Sequence, residues 1–287
     1  MRQNLATQSA GLSEKLPPHA FFVVSALFHY LGPSFAVLLF AHVEPLGVAW
    51  LRIASAALIF ALWRPWRVLR RLEGRTVLLI AALGAALAAM NAAFYLAIDR
   101  LPLATVAAIE FVAVLAIALA GVRSLRNFVA LALALAGVYA LIGFQSSNDW
   151  LGLAFTALNA ALFALYIVLG HASSRAGAAP IDRLGAAMIV ALVVAMPVGI
   201  AEALVAFASP ALLLAGLGIG VSSSVIPYVC DQLAMARLPR ATFALMLAML
   251  PAVAAIVGAV VLRQVPSPVE AAGIALVAVG IGLHRPN

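Results

Sequence analysis

The chain alternates between long runs of apolar residues and short segments that hold most of its charged residues. Each run has about the 20 residues that an α-helix needs to cross a bilayer. The pattern predicts ten transmembrane helices, at residues 20–40, 45–63, 76–97, 103–120, 126–143, 150–170, 184–204, 211–235, 240–261 and 267–284. The runs do not alternate with period two, which excludes a β-barrel. The predicted fold class is an all-α polytopic membrane protein.

Composition supports a membrane protein and excludes a soluble one. Of the 287 residues, 66% are hydrophobic and 9% are charged, whereas a soluble domain has about a quarter of its residues charged. The net charge of +7 does not indicate a nucleic-acid partner, because the basic residues lie scattered in the gaps between apolar runs. The lipid bilayer is the expected surrounding. The single cysteine, Cys230, excludes an internal disulfide and a multi-cysteine metal site.

The distribution of basic residues predicts the orientation of the helices, because cytoplasmic loops carry an excess of Lys and Arg. With the N-terminus inside, fourteen of the seventeen basic residues fall on the cytoplasmic side, and only Arg100 and Arg263 fall outside. The remaining one, Arg52, lies within the second predicted span. Both termini are therefore expected in the cytoplasm, with residues 1–19 as a cytoplasmic segment and the first span retained.

A sequence repeat divides the chain into two parts. The pattern L-A-x-x-R-L-P-x-A-T-x-A begins at Leu96 and again 137 residues later at Leu233. The repeating unit is five helices, 20–143 and 150–284, and an odd number of helices inserts the second unit upside down. Inverted repeats are typical of secondary transporters with a site at the midplane. The alternative is an ancestral duplication that left symmetry without transport.

Ionisable residues inside predicted spans need a partner or a function, and two of them stand out. Arg52 and Glu110 both lie seven residues from the outer end of their helices, about 10 Å below the edge of the hydrocarbon core. Opposite charges at equal depth can face each other across a cavity. The alternative is a structural ion pair that joins the second and fourth helices.

Other polar residues inside the spans are weaker candidates, because Asn and Tyr often bridge helices. Asn91 and Tyr95 share a face of the third span, Asn159 and Tyr166 share a face of the sixth, and His29 lies midway along the first. Ser222 to Ser224 are interpreted as packing residues. The candidate substrate-binding or coupling residues are Arg52, Glu110, Asn91, Tyr95, Asn159, Tyr166 and His29.

Sequence motifs for catalysis are absent. G-x-S-x-G, H-E-x-x-H and Walker sequences do not occur. Asp231 is the only Asp well inside a predicted span, so the facing pair of an intramembrane aspartyl protease is missing. We expect no enzyme activity, no cofactor and no metal site. Without a nucleotide site, uphill transport requires an ion gradient.

Several segments resemble one family of membrane proteins. They include Leu51-Arg52, Met90-Asn91, Glu110-Phe111, Tyr166-Ile167 and Arg237-Leu238-Pro239. With the ten spans and the repeat, they resemble the EamA-type exporters of the drug/metabolite transporter superfamily, most closely its threonine/homoserine exporter branch. The resemblance implies a multi-pass protein of the bacterial inner membrane that exports small amino acids or related metabolites, with protons as the coupling ion.

The chain departs from that branch at one position. Where the branch has Met-Glu-Pro in its second half, this chain has Met249-Leu250-Pro251. Coupling therefore rests on Glu110 alone, or it is lost. The alternatives are an exporter or facilitator of a metabolite that is not an amino acid, and a membrane scaffold or sensor without transport.

Overall fold

The structure, a computed structural model, describes residues 17–63, 74–119, 124–144, 149–175, 180–238, 243 and 250–283. These residues form helices and contain no strand. The helices are α1 (Pro18–Leu39), α2 (Pro45–Trp63), α3 (Gly74–Arg100), α4 (Leu103–Leu119), α5 (Leu125–Phe144), α6 (Trp150–Arg175), α7 (Pro180–Phe207), α8 (Pro210–Gly220), α9 (Ile226–Arg237), α10 (Leu250–Val261) and α11 (Pro268–Leu283).

Proline marks where many of these helices begin. Five helices have Pro as their first residue: α1, α2, α7, α8 and α11. The first N–H groups of a helix have no partner inside it, so a residue without an N–H is tolerated there. Proline at the edge of an apolar run therefore places the start of the helix within a few residues of the predicted boundary.

The prediction of an all-α, multi-pass membrane protein is confirmed. Within the described ranges, six helices are long and apolar enough to cross a membrane: α1, α2, α3, α6, α7 and the continuous segment Pro210–Arg237. Four shorter apolar helices cover Leu103–Val112, Leu125–Ala140, Leu250–Val261 and Pro268–Gly280. Most of the first part of the predicted ninth span, residues 240–249, lies outside the described residues.

Helices of the first five-helix unit pack directly on helices of the second. Helix α2 packs on α7, α5 packs on α11, and α3 packs on both α6 and α7. Small residues permit close approach, as is common between membrane helices. A Cβ at Gly137 would lie 2.5 Å from the carbonyl oxygen of Gly273, and one at Gly84 would lie 2.5 Å from that of Ala187.

The predicted helix 211–235 is not regular. Between α8 and α9, residues Val221–Val225 form a single π-helical turn. Proline at position 227 has no N–H, so it cannot donate the usual α-helical bond to the carbonyl of Ser223, and its ring crowds that carbonyl. A π-turn relieves this crowding, and such turns are frequent at functional sites. The Ser223 carbonyl is thereby left open to another donor.

Candidate functional site

A cavity lies at the centre of the bundle, between α1, α2, α3, α4, α6 and α9. Its volume is about 20 Å³, enough for one ordered water molecule. The lining residues are His29, Tyr30, Arg52, Met90, Asn91, Phe94, Glu110, Asn159, Phe163 and Tyr228. Five of the seven candidate residues from the sequence therefore meet at one cavity, and both parts of the chain contribute to it.

Arg52 is the buried cation of this cavity. Its Nε donates to Ser224 Oγ at 2.7 Å, and its Nη2 donates to the Ser223 carbonyl at 2.5 Å and to Tyr228 Oη at 3.2 Å. The acceptors are neutral, and two of them belong to the π-turn. Since Ser223 is the carbonyl that Pro227 leaves open, the irregular backbone provides the site that holds the guanidinium. No bond from Nη1 to a described residue is present, which leaves its donors for a further partner.

Two tyrosine rings flank the guanidinium. The Cζ atom of Arg52 lies 5.5 Å from the ring centroid of Tyr95 and 5.8 Å from that of Tyr228. Both distances are within the range of cation–π attraction. Tyr95 is fully buried and does not line the cavity. Its place in the site is therefore behind Arg52, as a support for the guanidinium.

Glu110 faces the same cavity and is 5% exposed. The charge of Arg52 acts on its carboxyl group, but the two groups do not form an ion pair. The salt bridge that the described ranges do contain lies elsewhere, between Arg100 and Asp149, whose charged atoms are 3.1 Å apart. The direct ion pair that the structural interpretation requires is therefore not formed, because the π-turn and Tyr228 hold the guanidinium instead.

Two buried amides at the cavity have unused hydrogen-bonding atoms. Asn91 Nδ2 donates to the Leu87 carbonyl at 2.7 Å and to Tyr228 Oη at 3.4 Å, while its Oδ1 has no partner. Neither polar atom of Asn159 forms a hydrogen bond of normal geometry, although its amide lies close enough to the Glu110 carboxyl to act on it. A buried polar group without a partner costs about 1–3 kcal/mol. These amides are thus available to a polar ligand or to water.

Of the remaining two candidates, His29 lies at the cavity and Tyr166 does not. The ring of His29 lies at the cavity, 6.0 Å from the ring of Tyr228 and 6.1 Å from that of Phe163. Tyr166 does not line the cavity, because its hydroxyl donates to Asp231 Oδ2 at 3.1 Å. Asn159 and Tyr166 share a helix face, as the spacing predicts, but about 10 Å of helix rise divides them.

Sequence reasoning missed Ser223, Ser224 and Tyr228 as site residues. The packing interpretation of the serines was incomplete, because two of them bind Arg52. The available signal was the group of three serines three to five residues before a proline in an apolar run. A proline at that spacing opens a carbonyl, and the serine hydroxyls add further acceptors.

This buried polar cavity in a multi-pass helical bundle is consistent with a membrane transporter, and comparison with known proteins identifies the class. Residues 150–284 match the EamA-like transporter family. The chain belongs to this family. Its relatives include the threonine/homoserine exporter RhtA of Salmonella typhimurium strain SL1344, which is 32% identical over 282 residues, 95% of this chain and 94% of the relative.

The RhtA protein of Escherichia coli K12 is 33% identical over 258 residues, which cover 88% of this chain and 85% of that protein. These relatives are transporters and not enzymes. One solved structure, described only as the crystal structure of a protein, matches with a TM-score of 0.62 over 92% of this chain and 96% of its own. At 17% identity, that similarity concerns the fold alone.

Proposed function

We propose that the protein is a secondary transporter that exports small amino acids of the threonine/homoserine kind, or related metabolites, across the bacterial inner membrane in exchange for protons. The observation that carries the proposal is a buried Arg52 with unused donors, on one cavity with Glu110. The relatives named as threonine/homoserine exporters support the same substrate class.

The charges at the cavity are complementary to a zwitterionic amino acid. We assign Arg52 to the substrate carboxylate, because Nη1 keeps its donors when Nε and Nη2 are bonded to the π-turn and Tyr228, and a hydrogen bond from a charged guanidinium to a carboxylate is a strong one. The carboxyl of Glu110 then faces the substrate ammonium. The unpartnered amide atoms of Asn91 and Asn159 are available for the polar side chain of a substrate such as threonine.

Glu110 is also the proposed coupling group. An acid that is buried at a cavity without an ion pair is stable either with a proton or with a substrate ammonium, because both remove its unpaired charge. Alternating between these two partners makes proton entry depend on substrate exit. The missing acid at Leu250 leaves facilitated diffusion as the second candidate, in which efflux does not depend on a proton gradient.

We further propose ten spans in two inverted repeats, 20–143 and 150–284, with both termini in the cytoplasm. Packing supports the repeat, since α2 packs on α7 and α5 on α11, and each of these pairs joins equivalent helices. The repeat offset of 137 residues also makes Asn91 equivalent to Tyr228, and these two side chains meet at 3.4 Å. In an inverted repeat, equivalent residues contact each other at the pseudo-two-fold axis that relates the two units.

The topology is tested by labelling single cysteines in a variant that lacks Cys230. Cysteine at Ser124 should react with a membrane-impermeant reagent only from the cytoplasmic side, and cysteine at Ser209 only from the periplasmic side. The two positions are separated by three predicted spans, α5, α6 and α7. Reaction of both from one side would refute the ten-span arrangement.

Transport is tested with purified protein in proteoliposomes loaded with labelled L-threonine, L-homoserine and a panel of other amino acids. We expect efflux of one or both of the first two, which increases when the outside is acidic. Efflux that is independent of the pH gradient would replace proton exchange by facilitated diffusion. Release no faster than from protein-free vesicles, for every member of the panel, would refute amino acid export.

A further inference from the structure

A second buried acid lies one helical turn from the cavity. Asp231 on α9 is 4% exposed, and Ser25 Oγ of α1 donates to its Oδ1 at 2.5 Å. Tyr166 Oη of α6 donates to Oδ2 at 3.1 Å. The carboxyl group therefore joins three helices at a point that the proposed transport site does not use.

Among the residues that the structure describes, no cation pairs with Asp231 to balance a negative charge. The titratable side chains that the structure describes on the helices around it are His19, His29 and Tyr30 of α1, Tyr166 and His171 of α6, and Asp182, Arg183 and Glu202 of α7, with Tyr228, Cys230 and Arg237 on its own helix. A carboxylate inside a membrane bundle is costly unless it is paired, whereas a neutral carboxylic acid is not.

The hydrogen bonds around Asp231 can rearrange when its carboxyl group binds a proton, and no donor then loses its acceptor. Ser25 Oγ lies 2.5 Å from Asp231 Oδ1 and 3.2 Å from the Pro227 carbonyl. When the carboxyl is charged, the Ser25 hydroxyl donates to Oδ1. When it is protonated on Oδ1, the new O–H donates to Ser25 Oγ, and the serine hydroxyl turns to the Pro227 carbonyl. Tyr166 donates to Oδ2 in both states, so every donor keeps an acceptor.

The same residues connect Asp231 to the cavity. The rings of Tyr166 and Tyr228 lie 5.5 Å apart, and Tyr228 Oη accepts a hydrogen bond from Arg52. Asp231 is three residues beyond Tyr228 on α9, about 4.5 Å along the helix. A change in charge at Asp231 therefore changes the electrostatic potential near the Arg52 guanidinium, which we assign to the substrate carboxylate.

We propose that Asp231 is a second proton-binding carboxyl of this transporter, with Ser25 as the hydroxyl that reorients when the proton binds. The inference rests on the proposed function, since it gives that transporter a second site for the coupling ion. It also provides a buried acid in the second part of the chain, whereas Glu110 lies in the first.

The first test detects the proton directly and does not depend on the substrate. Infrared difference spectra between acidic and alkaline pH are recorded for the protein in lipid. We expect a carbonyl-stretch band of a protonated carboxyl that disappears in Asp231→Asn and returns, shifted, in Asp231→Glu. Glu202→Gln is the matched control, because Glu202 is an α7 acid that accepts a hydrogen bond from the Gly47 N–H at 3.0 Å. Identical spectra for the wild type and Asp231→Asn would overturn the proposal.

The second test measures the consequence for transport of labelled L-threonine in proteoliposomes. We expect Asp231→Asn to reduce pH-driven efflux at least tenfold while threonine–threonine exchange continues, and Ser25→Ala to shift the pH profile. Unchanged pH-driven efflux in Asp231→Asn, or an Asp231-dependent response to a sodium gradient instead, would overturn the proton assignment. A wild type that moves no amino acid refutes the proposed export, whereas the infrared result still decides whether Asp231 binds a proton.

Discussion

Replacing Arg52 by lysine tests whether the site needs a guanidinium or only a positive charge. Lysine keeps the charge but replaces a planar group with five donors by a compact ammonium with three. In the structure, Nε and Nη2 hold Ser224 Oγ, the Ser223 carbonyl and Tyr228 Oη. An ammonium that keeps these three bonds has no donor left for a substrate.

The expected loss follows from the bonds that the ammonium cannot make. A hydrogen bond from a charged donor contributes about 1.5–3 kcal/mol, and each 1.4 kcal/mol corresponds to a factor of about ten in affinity. Losing the charged hydrogen bond from Nη1 to the substrate carboxylate should therefore weaken binding about 10- to 100-fold. Because that interaction is made with bound substrate, we expect the change mainly in KM.

The assay is the concentration dependence of threonine efflux from proteoliposomes, with the thermal unfolding of each variant measured in the same lipid. Arg100→Lys is the matched control, because Arg100 forms a partly exposed salt bridge with Asp149 outside the cavity, and we expect normal efflux from it. Normal KM and efflux for Arg52→Lys would refute the assignment of Arg52 to the substrate. A loss of efflux that parallels a loss of folded protein would assign Arg52 to structure.

Three further predictions concern other parts of the chain. Glu110→Gln should abolish the effect of a pH gradient on efflux while substrate exchange continues, and a lower yield of folded protein with unchanged coupling would contradict this. Gly32→Ala should destabilise the protein by about 1–3 kcal/mol in thermal unfolding, because the new Cβ would lie within 3 Å of the π-turn backbone; Gly218→Ala, which meets nothing within 4 Å, is its control. The Gly152 N–H donates to Asp149 and holds the pKa of that carboxyl below its ordinary range. Asp149→Ala should therefore lower the unfolding temperature at neutral pH, and the difference should disappear as the pH falls through that lowered pKa.

The helices and part of the site follow from simple features of the sequence. Apolar runs of bilayer length, with proline at their edges, predict the helices because the bilayer leaves the backbone no other way to satisfy its polar groups. Counting residues from the outer ends of two helices placed Arg52 and Glu110 at one depth. Since helix rise is constant, that depth was a usable prediction, and the structure has both residues at one cavity.

The partners of Arg52 did not follow from these features. A hydropathy pattern treats residues 211–235 as one helix and contains no information on the π-turn at Val221–Val225. The open carbonyl of Ser223 depends on the backbone, which changes because Pro227 lacks an N–H. The direction of Tyr166, toward Asp231 and away from Asn159, depends on how α6 packs between α3 and α9. Spacing along one helix cannot supply that information.

The proposed repeat makes the distribution of acids informative. At the repeat offset, Glu110 corresponds to Leu247 and Asp231 corresponds to Phe94, so each acid has an apolar residue at its equivalent position. An inverted repeat gives the backbone two equivalent ways to pack, one open to each side of the membrane. Identical side chains in both repeats would make these two conformations equal in energy. Among the described residues each repeat has one buried acid, Glu110 in the first and Asp231 in the second. Because they lie at different depths, the two conformations expose different carboxyl groups to water, and a proton gradient then favours one of them.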